Sequence, residues 1–412
     1  MFYMSLNNNK GDRKMNFTLL KETLDSMIEK RNVPGVDCIV YKEHEEIFRY
    51  FAGCSNRETK KPMNGQELYI IFSMTKMLTC TCALQLFEQG KFSMDDPVSK
   101  YIKEFETMEL SEEELYVDNA NKVSSGASAG EEVKAKASGI AKNPITIRHL
   151  FTMSAGLTYD LKAPCIEKAL ADGKKTTGEI VRAMGGMVLC FEPGTRFRYS
   201  LCHDVLGHLI EIWSGKKFGD YMRENVLEPL GMKDTFFGVP KDEERRSRLA
   251  KKYRYDGMEV PILSEDICIY NFTDEYESGG AGLISCPSDY AIFLDALANG
   301  GVAKNGKRIL STSSVELMRT NQLTGQRSKD FYNVRMGYGY GLGVRTHIDP
   351  EVSGSLSPVG EFGWDGAAGA FSMVDPKNKL SLTYFQEVMG WDLAIQNEIR
   401  NALYKCLENN EE

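Results

Sequence analysis

The sequence predicts an α/β (α+β) protein in which both ends of the chain form one mixed lobe and the middle forms a helical lobe. Three observations support this prediction. Hairpin and helix patterns alternate in the first hundred residues, helical spacing dominates from residue 145 to about 263, and mixed patterns return in the last third of the 412 residues. We therefore assign residues 1–105 and 264–412 to the α/β lobe and residues 106–263 to the mostly helical lobe.

The first part of the chain combines helices with a hairpin. A helix is predicted over residues 17–31, where apolar side chains recur at helical spacing before a Pro-Gly pair. The β-rich runs 36–41 and 47–51, which a short polar turn joins, predict a hairpin. The apolar run 68–72 predicts a short buried strand, and the helical spacing that follows it ends at Gly90.

The middle of the chain begins with a polar segment. Residues 109–143 are poor in large apolar side chains, which predicts a long loop or an inserted lid. Helical spacing then dominates, and the predicted helices lie at residues 147–153, 165–172, 177–187, 201–213 and 218–227.

Mixed patterns return in the last third. Pro287 predicts the first turn of a helix that ends at the glycine pair 300–301. Residues 371–374 and 380–385 predict a second hairpin around a Pro-containing turn, and residues 393–407 predict a closing amphipathic helix.

Composition excludes several classes of protein. The net charge of −8, with acidic and basic residues interspersed, disfavours nucleic acid as a partner. Apolar runs fall short of the ~20 residues of a membrane span, and the N-terminus lacks a signal-peptide pattern, so we expect no membrane partner and a cytoplasmic location. The ten scattered cysteines and five histidines lack metal-ligand spacing, and we expect no metal or cofactor. The oligomeric state is not predicted.

One pattern carries chemistry: Ser73 is followed three residues later by Lys76 at the expected start of a helix. Residues at this spacing lie on one helix face, roughly 5–6 Å apart at Cβ. A serine is a good nucleophile only when a neighbouring base takes its proton, and a lysine can be that base if its pKa is lowered.

The same pattern also has an ordinary explanation, in which the serine is an N-cap and the lysine is solvated. It occurs a second time, at Ser214 and Lys217, where we predict only a helix end and a turn. The pattern alone therefore does not decide between the two interpretations of Ser73.

The stretch around Ser73 and five others, taken together, are more specific. They are 72–76 (FSMTK), 145–157 (ITIRHLFTMSAGL), 197–201 (FRYSL), 229–235 (PLGMKDT), 279–285 (GGAGLIS) and 362–366 (FGWDG). In this order they resemble the S-x-x-K, T-I-R, Y-x-N, P-L-G-M-x-D-T, G-G-L-x-S and third catalytic motifs of the serine β-lactamase-like hydrolases. That family holds class C β-lactamases, D-Ala-D-Ala carboxypeptidases, D-aminopeptidases and related carboxylesterases. The resemblance extends from about residue 17 to residue 407.

The resemblance implies the β-lactamase-like fold, an antiparallel sheet flanked by helices plus a helical lobe, with the site in the cleft. It implies that Ser73 becomes acylated and that Lys76 shares or takes its proton. Tyr199, its pKa lowered between cationic neighbours, would relay a proton to the leaving group and later activate water. The backbone N–H groups of Ser73 and Ala367 would hold the oxyanion. The ordinary alternative for Tyr199 is a core aromatic residue.

Two positions depart from the family pattern. Leu201 replaces the Asn of Y-x-N and cannot hydrogen-bond Lys76 or a substrate amide. Trp364, Asp365 and Gly366 replace K-T-G or H-x-G, so that no cation would pair with a substrate carboxylate and Asp365 would add negative charge. We expect these four residues to bind substrate. The apolar Trp364 is closer to the W-G-G of the esterase branch, and its alternative is ordinary core packing.

The sequence therefore predicts a serine hydrolase that acts through an acyl-enzyme on a small-molecule ester or amide and poorly on β-lactams. An acyltransferase that uses the same acyl-enzyme is the nearest alternative. A β-lactamase or a D-amino acid peptidase is less favoured. A non-catalytic scaffold on the same fold is the alternative from another class, and it would need none of Ser73, Lys76 and Tyr199.

Overall fold

The computed structural model describes residues 3–5, 15–113, 136–255, 260–263, 270–390 and 392–411. Most of the polar segment 109–143 and the proposed lobe boundary at residue 264 lie outside these ranges, as do Cys268 and most of the polar N-terminus. The lobe boundaries therefore stay a prediction.

The strands are short except at the centre of the main sheet. In chain order they are β1 (Tyr3–Ser5), β2 (Gly35–Lys42), β3 (Glu45–Asn56), β4 (Lys61–Pro62), β5 (Tyr69–Ile70), β6 (Glu109–Ser111), β7 (Ala137–Ile140), β8 (Phe236–Phe237), β9 (Tyr253–Arg254), β10 (Ile262–Leu263), β11 (Leu283–Ser285), β12 (Tyr338–Tyr340), β13 (Arg345–His347), β14 (Phe362–Gly363), β15 (Phe371–Asp375), β16 (Leu380–Phe385) and β17 (Val388–Met389).

The helices occupy every stretch at which helical spacing predicted one. They are α1 (Thr18–Arg31), α2 (Thr75–Glu88), α3 (Ile147–Phe151), α4 (Pro164–Ala171), α5 (Thr177–Ala183), α6 (Cys202–Ser214), α7 (Phe218–Met222), α8 (Glu228–Leu230), α9 (Glu243–Arg248), α10 (Pro287–Ala298), α11 (Thr312–Arg319), α12 (Gly325–Val334), α13 (Pro350–Ser353) and α14 (Ala394–Glu411). Short 3₁₀ turns lie at Phe72–Met74, Val98–Lys100, Lys103–Phe105 and Met184–Gly186.

The main sheet is antiparallel and joins the two ends of the chain. Its order is β1-β3-β2-β16-β15-β14-β13-β12, with β4 paired to β3. The junction is the pairing of β2 with β16, in which Lys42 lies opposite Leu380 and Asp37 opposite Phe385. Both predicted hairpins form two neighbouring strands of this sheet. The mixed α and β class and the antiparallel sheet are therefore confirmed.

Helices cover both faces of this sheet. On one face α1 and α14 bury a cluster that includes Leu24, Ile399 and Leu403, with the last two at the i, i+4 spacing of one helix face. On the other face α10 packs against β16 and β2, and the larger hydrophobic core continues from there into the helical part of the chain. The residues around Ser73 lie in this larger core, so that the site has rigid surroundings.

The expected helix over 218–227 is interrupted, and a proline explains why. Helix α7 ends at Met222 and a π-helical turn, Arg223–Leu227, follows it. Pro229 has no backbone N–H to donate to the carbonyl of Asn225, four residues earlier, and its ring crowds that carbonyl. The freed Asn225 carbonyl accepts a hydrogen bond of 3.0 Å from the Gln85 side chain instead.

Two further predictions need correction. The expected strand over 68–72 is shorter, because Phe72 has a left-handed backbone (φ 45°) and only Tyr69–Ile70 pairs as a strand. The ends of the predicted loop 109–143 are β6 and β7, which pair as an antiparallel ribbon. In the ranges that the structure describes, no helix is both long and apolar enough to cross a bilayer.

Candidate active site

Ser73 lies in the 3₁₀ turn that joins β5 to α2. The preceding residue, Phe72, has φ 45°, a conformation that costs a non-glycine residue energy and persists only where the surroundings enforce it. The turn is held by β11: the Ile71 amide donates to the Leu283 carbonyl (3.1 Å) and the Leu283 amide to the Thr75 hydroxyl (3.2 Å). These contacts fix the chain where it changes direction, and Ser73 stays partly exposed there.

Lys76 reaches back from the first turn of α2 to Ser73. Its Nζ lies 3.1 Å from Ser73 Oγ and donates to the Gly280 carbonyl at 2.7 Å. A third contact, of 3.4 Å, joins it to the Tyr159 hydroxyl. The side chain is fully buried, and this burial lowers the pKa of Lys76 to about 7, although Asp204 opposes the shift. A large share of the amine is therefore neutral at neutral pH.

Gly280 and Asp204 form the back of the amine site. A Cβ atom at position 280 would lie 2.6 Å from Asp204 Oδ2 and 3.4 Å from Lys76 Nζ, so only glycine fits. Asp204 is buried in α6, and its Oδ1 accepts hydrogen bonds from Tyr276 (2.8 Å) and Ser278 (2.6 Å). The carboxylate is thus close enough to raise the pKa of the amine, and its own hydrogen bonds go to Tyr276 and Ser278.

Tyr199 lies on the other side of Ser73 in the loop before α6. The two side chains are hydrogen-bonded, and Lys76 Nζ lies 4.6 Å from the centroid of the tyrosine ring. The loop is held to α12, because Asp330 accepts hydrogen bonds from Arg196 Nε (2.7 Å) and from the Phe197 amide (3.1 Å).

The predicted lowering of the Tyr199 pKa is wrong. Burial raises the pKa of Tyr199, and the hydrogen bonds to Ser73 and Trp364 oppose this effect only in part. The expected cation, Lys76, is itself partly deprotonated for the same reason. The phenol is therefore neutral at neutral pH, and it can donate a proton rather than accept one.

Trp364 is part of an aromatic wall beside Tyr199. Its Nε1 donates to the Tyr199 hydroxyl at 3.1 Å, and the two rings stack at 5.6 Å with an interplanar angle of 27°. Tyr159 also stacks on Tyr199, at 5.6 Å. The Trp364 backbone is fixed by Ser372, whose hydroxyl accepts from the Trp364 amide at 3.0 Å. Trp364 therefore packs in the main hydrophobic core and also donates its one polar side-chain atom to Tyr199. A substrate contact by Trp364 stays a prediction.

The backbone amides of Ser73 and Ala367 were the expected oxyanion donors. Within the described part of the chain neither amide donates to a backbone carbonyl. Gly366 allows the turn that contains Ala367 to lie close to the turn that contains Ser73, because a Cβ atom at position 366 would lie 2.8 Å from the Ile71 carbonyl oxygen. The amide of Val388 holds that turn from behind through the Ala368 carbonyl, at 2.9 Å.

The sequence predicted that Asp365 adds negative charge to the site, but in the structure a cation compensates this charge. Asp365 Oδ2 forms a buried ion pair with Arg335, which directly follows α12. The guanidinium of Arg335 lies 5.5 Å from the centre of the Trp364 ring. A cation is therefore present beside the third motif, and the sequence did not reveal it because 30 residues separate Arg335 from its partner.

Leu201 is the predicted site residue that the structure connects least to the others. It is 2% exposed and belongs to the main hydrophobic core. Its backbone precedes α6, and its amide donates to the Thr158 carbonyl at 3.1 Å. A substrate contact by Leu201 stays a prediction.

The sequence did not indicate Tyr159, Asp204 or Arg335 as site residues, nor the Gly280 carbonyl, which accepts a hydrogen bond from Lys76. A signal existed for Asp204, which is an acid among the apolar residues of a predicted helix, with Val205, Leu206 and Leu209 around it. The second Ser-x-x-Lys match behaves as expected: Ser214 ends α6 and Gly215 caps it in the left-handed conformation.

Comparisons with known proteins agree with this arrangement. A family model described as Beta-lactamase matches residues 20–404. Esterase EstB of Burkholderia gladioli is 26% identical over 421 residues, which cover 93% of this chain and 94% of the esterase. Monacolin J acid methylbutanoyltransferase of Aspergillus terreus is 24% identical over 399 residues, or 91% of each chain.

A solved structure is similar over almost the whole length. It is described as EstCE1, a hydrolase with promiscuous acyltransferase activity, and it superposes with a TM-score of 0.75 at 25% identity. The match covers 94% of this chain and 97% of that chain.

Proposed function

The chain belongs to the beta-lactamase family, and from this premise we propose that Ser73 forms an acyl-enzyme with a small ester or amide. The chain is a serine hydrolase or acyltransferase, and its relatives include an esterase, a methylbutanoyltransferase and a hydrolase with promiscuous acyltransferase activity. The proposal for the site rests on one observation above all, the 3.1 Å contact between a fully buried lysine amine and Ser73 Oγ.

Acylation would begin with Lys76 as the general base. Its pKa of about 7 gives a substantial neutral fraction at neutral pH, and the neutral amine can accept the hydroxyl proton of Ser73. Ser73 Oγ then attacks the acyl carbonyl, whose oxygen acquires negative charge. The amides of Ser73 and Ala367 would stabilise that charge without reorganisation.

Tyr199 would complete the reaction as a proton donor. The leaving alkoxide or amine needs a proton as its bond to the acyl carbon breaks, and the neutral phenol hydrogen-bonded to Ser73 can supply it. The proton that Lys76 took from Ser73 then returns to the tyrosinate. In deacylation the same groups act in reverse on water or on another acceptor.

We propose a small, apolar or aromatic ester as the preferred substrate. Tyr159, Tyr199 and Trp364 provide an aromatic wall. Arg335, a cation near this wall, is engaged by Asp365, and binding a substrate carboxylate would require it to give up that ion pair. This cost supports the expectation of slow β-lactam turnover.

Acyl transfer to an alcohol is the second candidate. It is supported by two relatives, of which one is named a methylbutanoyltransferase and the other is described as a hydrolase with promiscuous acyltransferase activity. Both reactions share the acyl-enzyme and differ only in the acceptor that enters the site.

The test uses p-nitrophenyl butyrate and, separately, a chromogenic cephalosporin, with turnover and intact mass followed together. We expect ester turnover, a butyryl adduct that Ser73→Ala abolishes, and little cephalosporin turnover. Ser214→Ala, in the second Ser-x-x-Lys match, is the matched control and should retain the activity of the parent protein. Adding a short alcohol separates the candidates, because a transferase would form the butyryl ester of that alcohol. Absence of both Ser73-dependent turnover and any adduct would overturn the proposal.

We also propose a cytoplasmic location. The nine cysteines in the described ranges are all free thiols, as is usual in reducing compartments. Cell fractionation against marker enzymes tests this, and recovery with an exported marker would contradict it.

A further inference from the structure

Arg335 is a buried cation that a single side chain, Trp364, separates from Tyr199. Its side chain is 7% exposed and forms an ion pair with Asp365, and its Nη1 donates to Gln396 Oε1 at 3.2 Å. The same guanidinium lies against the Trp364 ring, 5.5 Å from the ring centre. Asp365 and Gln396 thus hold the cation on the indole.

Trp364 connects Arg335 to Tyr199 through a hydrogen bond. Its Nε1–H is the donor to the Tyr199 hydroxyl oxygen, at 3.1 Å. Tyr340 meets the indole edge-on at 5.2 Å and fixes its orientation. The indole therefore has a cation against its ring and the tyrosine oxygen at its only polar atom.

A cation against an aromatic ring is attracted to the π electrons and draws electron density from them. The indole N–H becomes a stronger donor as a result, and a stronger donor favours negative charge on the atom that accepts its hydrogen bond. The buried ion pair holds Arg335 against the indole ring before the reaction begins. The negative charge on Tyr199, in contrast, exists only while the leaving group is being protonated.

We propose that Arg335 is a positioning residue that acts through Trp364 to stabilise the tyrosinate formed when Tyr199 protonates the leaving group. The inference rests on the proposed function of Tyr199. In this step the Tyr199 O–H proton moves to the leaving oxygen as the acyl–oxygen bond breaks, and Lys76 returns the proton of Ser73 to the tyrosinate. Arg335 neither gains nor loses a proton.

Two substrates that differ in their leaving group test this role of Arg335. A p-nitrophenolate leaving group departs as a stable anion and hardly needs a proton, whereas a p-nitrobenzyl alkoxide does. The two butyrate esters have the same acyl group and similar rings, so binding is matched. The kcat/KM value reports acylation, which includes departure of the leaving group.

The decisive variants are Arg335→Lys and the double variant Arg335→Met/Asp365→Asn, which avoids an unpaired buried carboxylate. For the double variant we expect kcat/KM to fall about tenfold with p-nitrobenzyl butyrate, the order of effect of a desolvated cation–π contact. With p-nitrophenyl butyrate we expect a loss of less than about threefold. Arg335→Lys retains the positive charge and should recover most of the p-nitrobenzyl activity.

A second comparison separates this effect from a structural one. In a Trp364→Phe background the indole N–H is absent, and the double substitution should no longer change the ratio of the two kcat/KM values. Equal losses with both esters, or an unchanged effect in the Trp364→Phe background, would overturn the inference while leaving the proposed function intact. No Ser73-dependent turnover of either ester by the parent protein would overturn the proposed function itself.

Discussion

Two groups of buried cations in this protein show opposite outcomes of burial. One is Lys76, which lies beside Ser73 with hydroxyl and carbonyl oxygens at hydrogen-bond distance. The other, which we call the arginine cluster, consists of Arg335, Arg345 and Arg400 around the Tyr338 end of the main sheet. Burial lowers the pKa of Lys76 to about 7, and it lowers the pKa values of Arg335 and Arg345 to about 9 and about 10, so that only the two arginines stay fully charged at neutral pH.

The partners explain part of this difference. Arg345 Nη2 contacts Glu361 at 3.0 Å, and both side chains are fully buried. Arg400 Nη2 donates to Gln396 Oε1 at 3.1 Å, and its guanidinium lies 5.1 Å from the Phe371 ring centre. Carboxylates and ring faces stabilise the charged form in the arginine cluster. Among the residues that the structure describes, the hydrogen-bond partners of Lys76 are carbonyl and hydroxyl groups.

The identity of the cation explains the rest. A guanidinium has a pKa so high that burial still leaves it charged at neutral pH, and a lysine amine starts low enough for burial to make it a base. In the arginine cluster burial therefore leaves charged groups, of which Arg345 and Arg400 have a structural role, whereas burial of Lys76 produces a reactive group. Each of the following predictions would break or sharpen this contrast.

The largest effect should come from Lys76→Met. Removing the base should lower kcat/KM for p-nitrophenyl butyrate by about 10³-fold or more, because Ser73 is then a poor nucleophile. The folded structure should persist, since methionine fits an apolar interior better than a charged amine. The measurement is kcat/KM together with the circular dichroism spectrum.

Lys217→Met is the matched control for this experiment. Lys217 occupies the same place in the second Ser-x-x-Lys match and is exposed. We expect it to leave kcat/KM unchanged. A comparable loss of kcat/KM in both variants would mean that the loss in Lys76→Met does not depend on burial of the lysine beside Ser73.

A variant of the arginine cluster should lose stability and retain activity, whereas Lys76→Met should lose activity and retain its fold. Glu361→Gln leaves Arg345 without its buried carboxylate and should lower the free energy of unfolding by about 3–5 kcal/mol. The active site is not touched, so kcat per folded molecule should stay close to that of the parent. Urea denaturation and active-site titration measure the two quantities. A loss of kcat without a loss of stability would contradict a structural role.

The sequence predicted the residue types at the site and much of the fold. The motif around Ser73 and Lys76 is local, and helix spacing places the lysine correctly beside the serine. Both hairpins were also found from local alternation. These features depend on neighbours along the chain, which is why one sequence is sufficient to find them.

The electrostatic properties of the site could not be predicted in this way. The pKa of Tyr199 moves up and not down because its burial comes from Tyr159, Trp364 and other residues far away in the chain. Arg335 was missed because neither it nor Asp365 has a local signal for their ion pair. The energy of desolvation is a property of the complete packing, and no spacing rule contains it.

The pH dependence of activity sharpens the contrast further. Because the neutral form of Lys76 is the base, kcat/KM should rise about tenfold per pH unit below pH 7 and level off above it. Asp204 raises the pKa of Lys76, so Asp204→Asn should move the midpoint to lower pH. A pH profile of the two proteins between pH 5 and 9, within their stable range, measures both effects. A midpoint that does not respond to Asp204→Asn would assign the profile to another group.

The smallest effect concerns stability, and it separates the two groups of cations most directly. The folded-state pKa of Lys76, about 7, lies below its ordinary value of 10.5. Below pH 7 both folded and unfolded chains therefore hold the proton, and the full cost of burying the charge is present. As pH rises above 7 the folded state loses the proton first, and the protein becomes more stable relative to Lys76→Met, which does not titrate.

Between pH 6 and pH 8 this difference in unfolding free energy should change by about 1.4 kcal/mol in favour of the parent protein. The double variant Arg345→Met/Glu361→Gln provides the comparison, since Arg345 stays protonated throughout that interval with its pKa of about 10. Its stability difference from the parent should be the same at both pH values. A pH-independent difference for Lys76→Met would mean that the amine remains charged in the folded protein, and Lys76 would then resemble the arginine cluster instead of serving as a base.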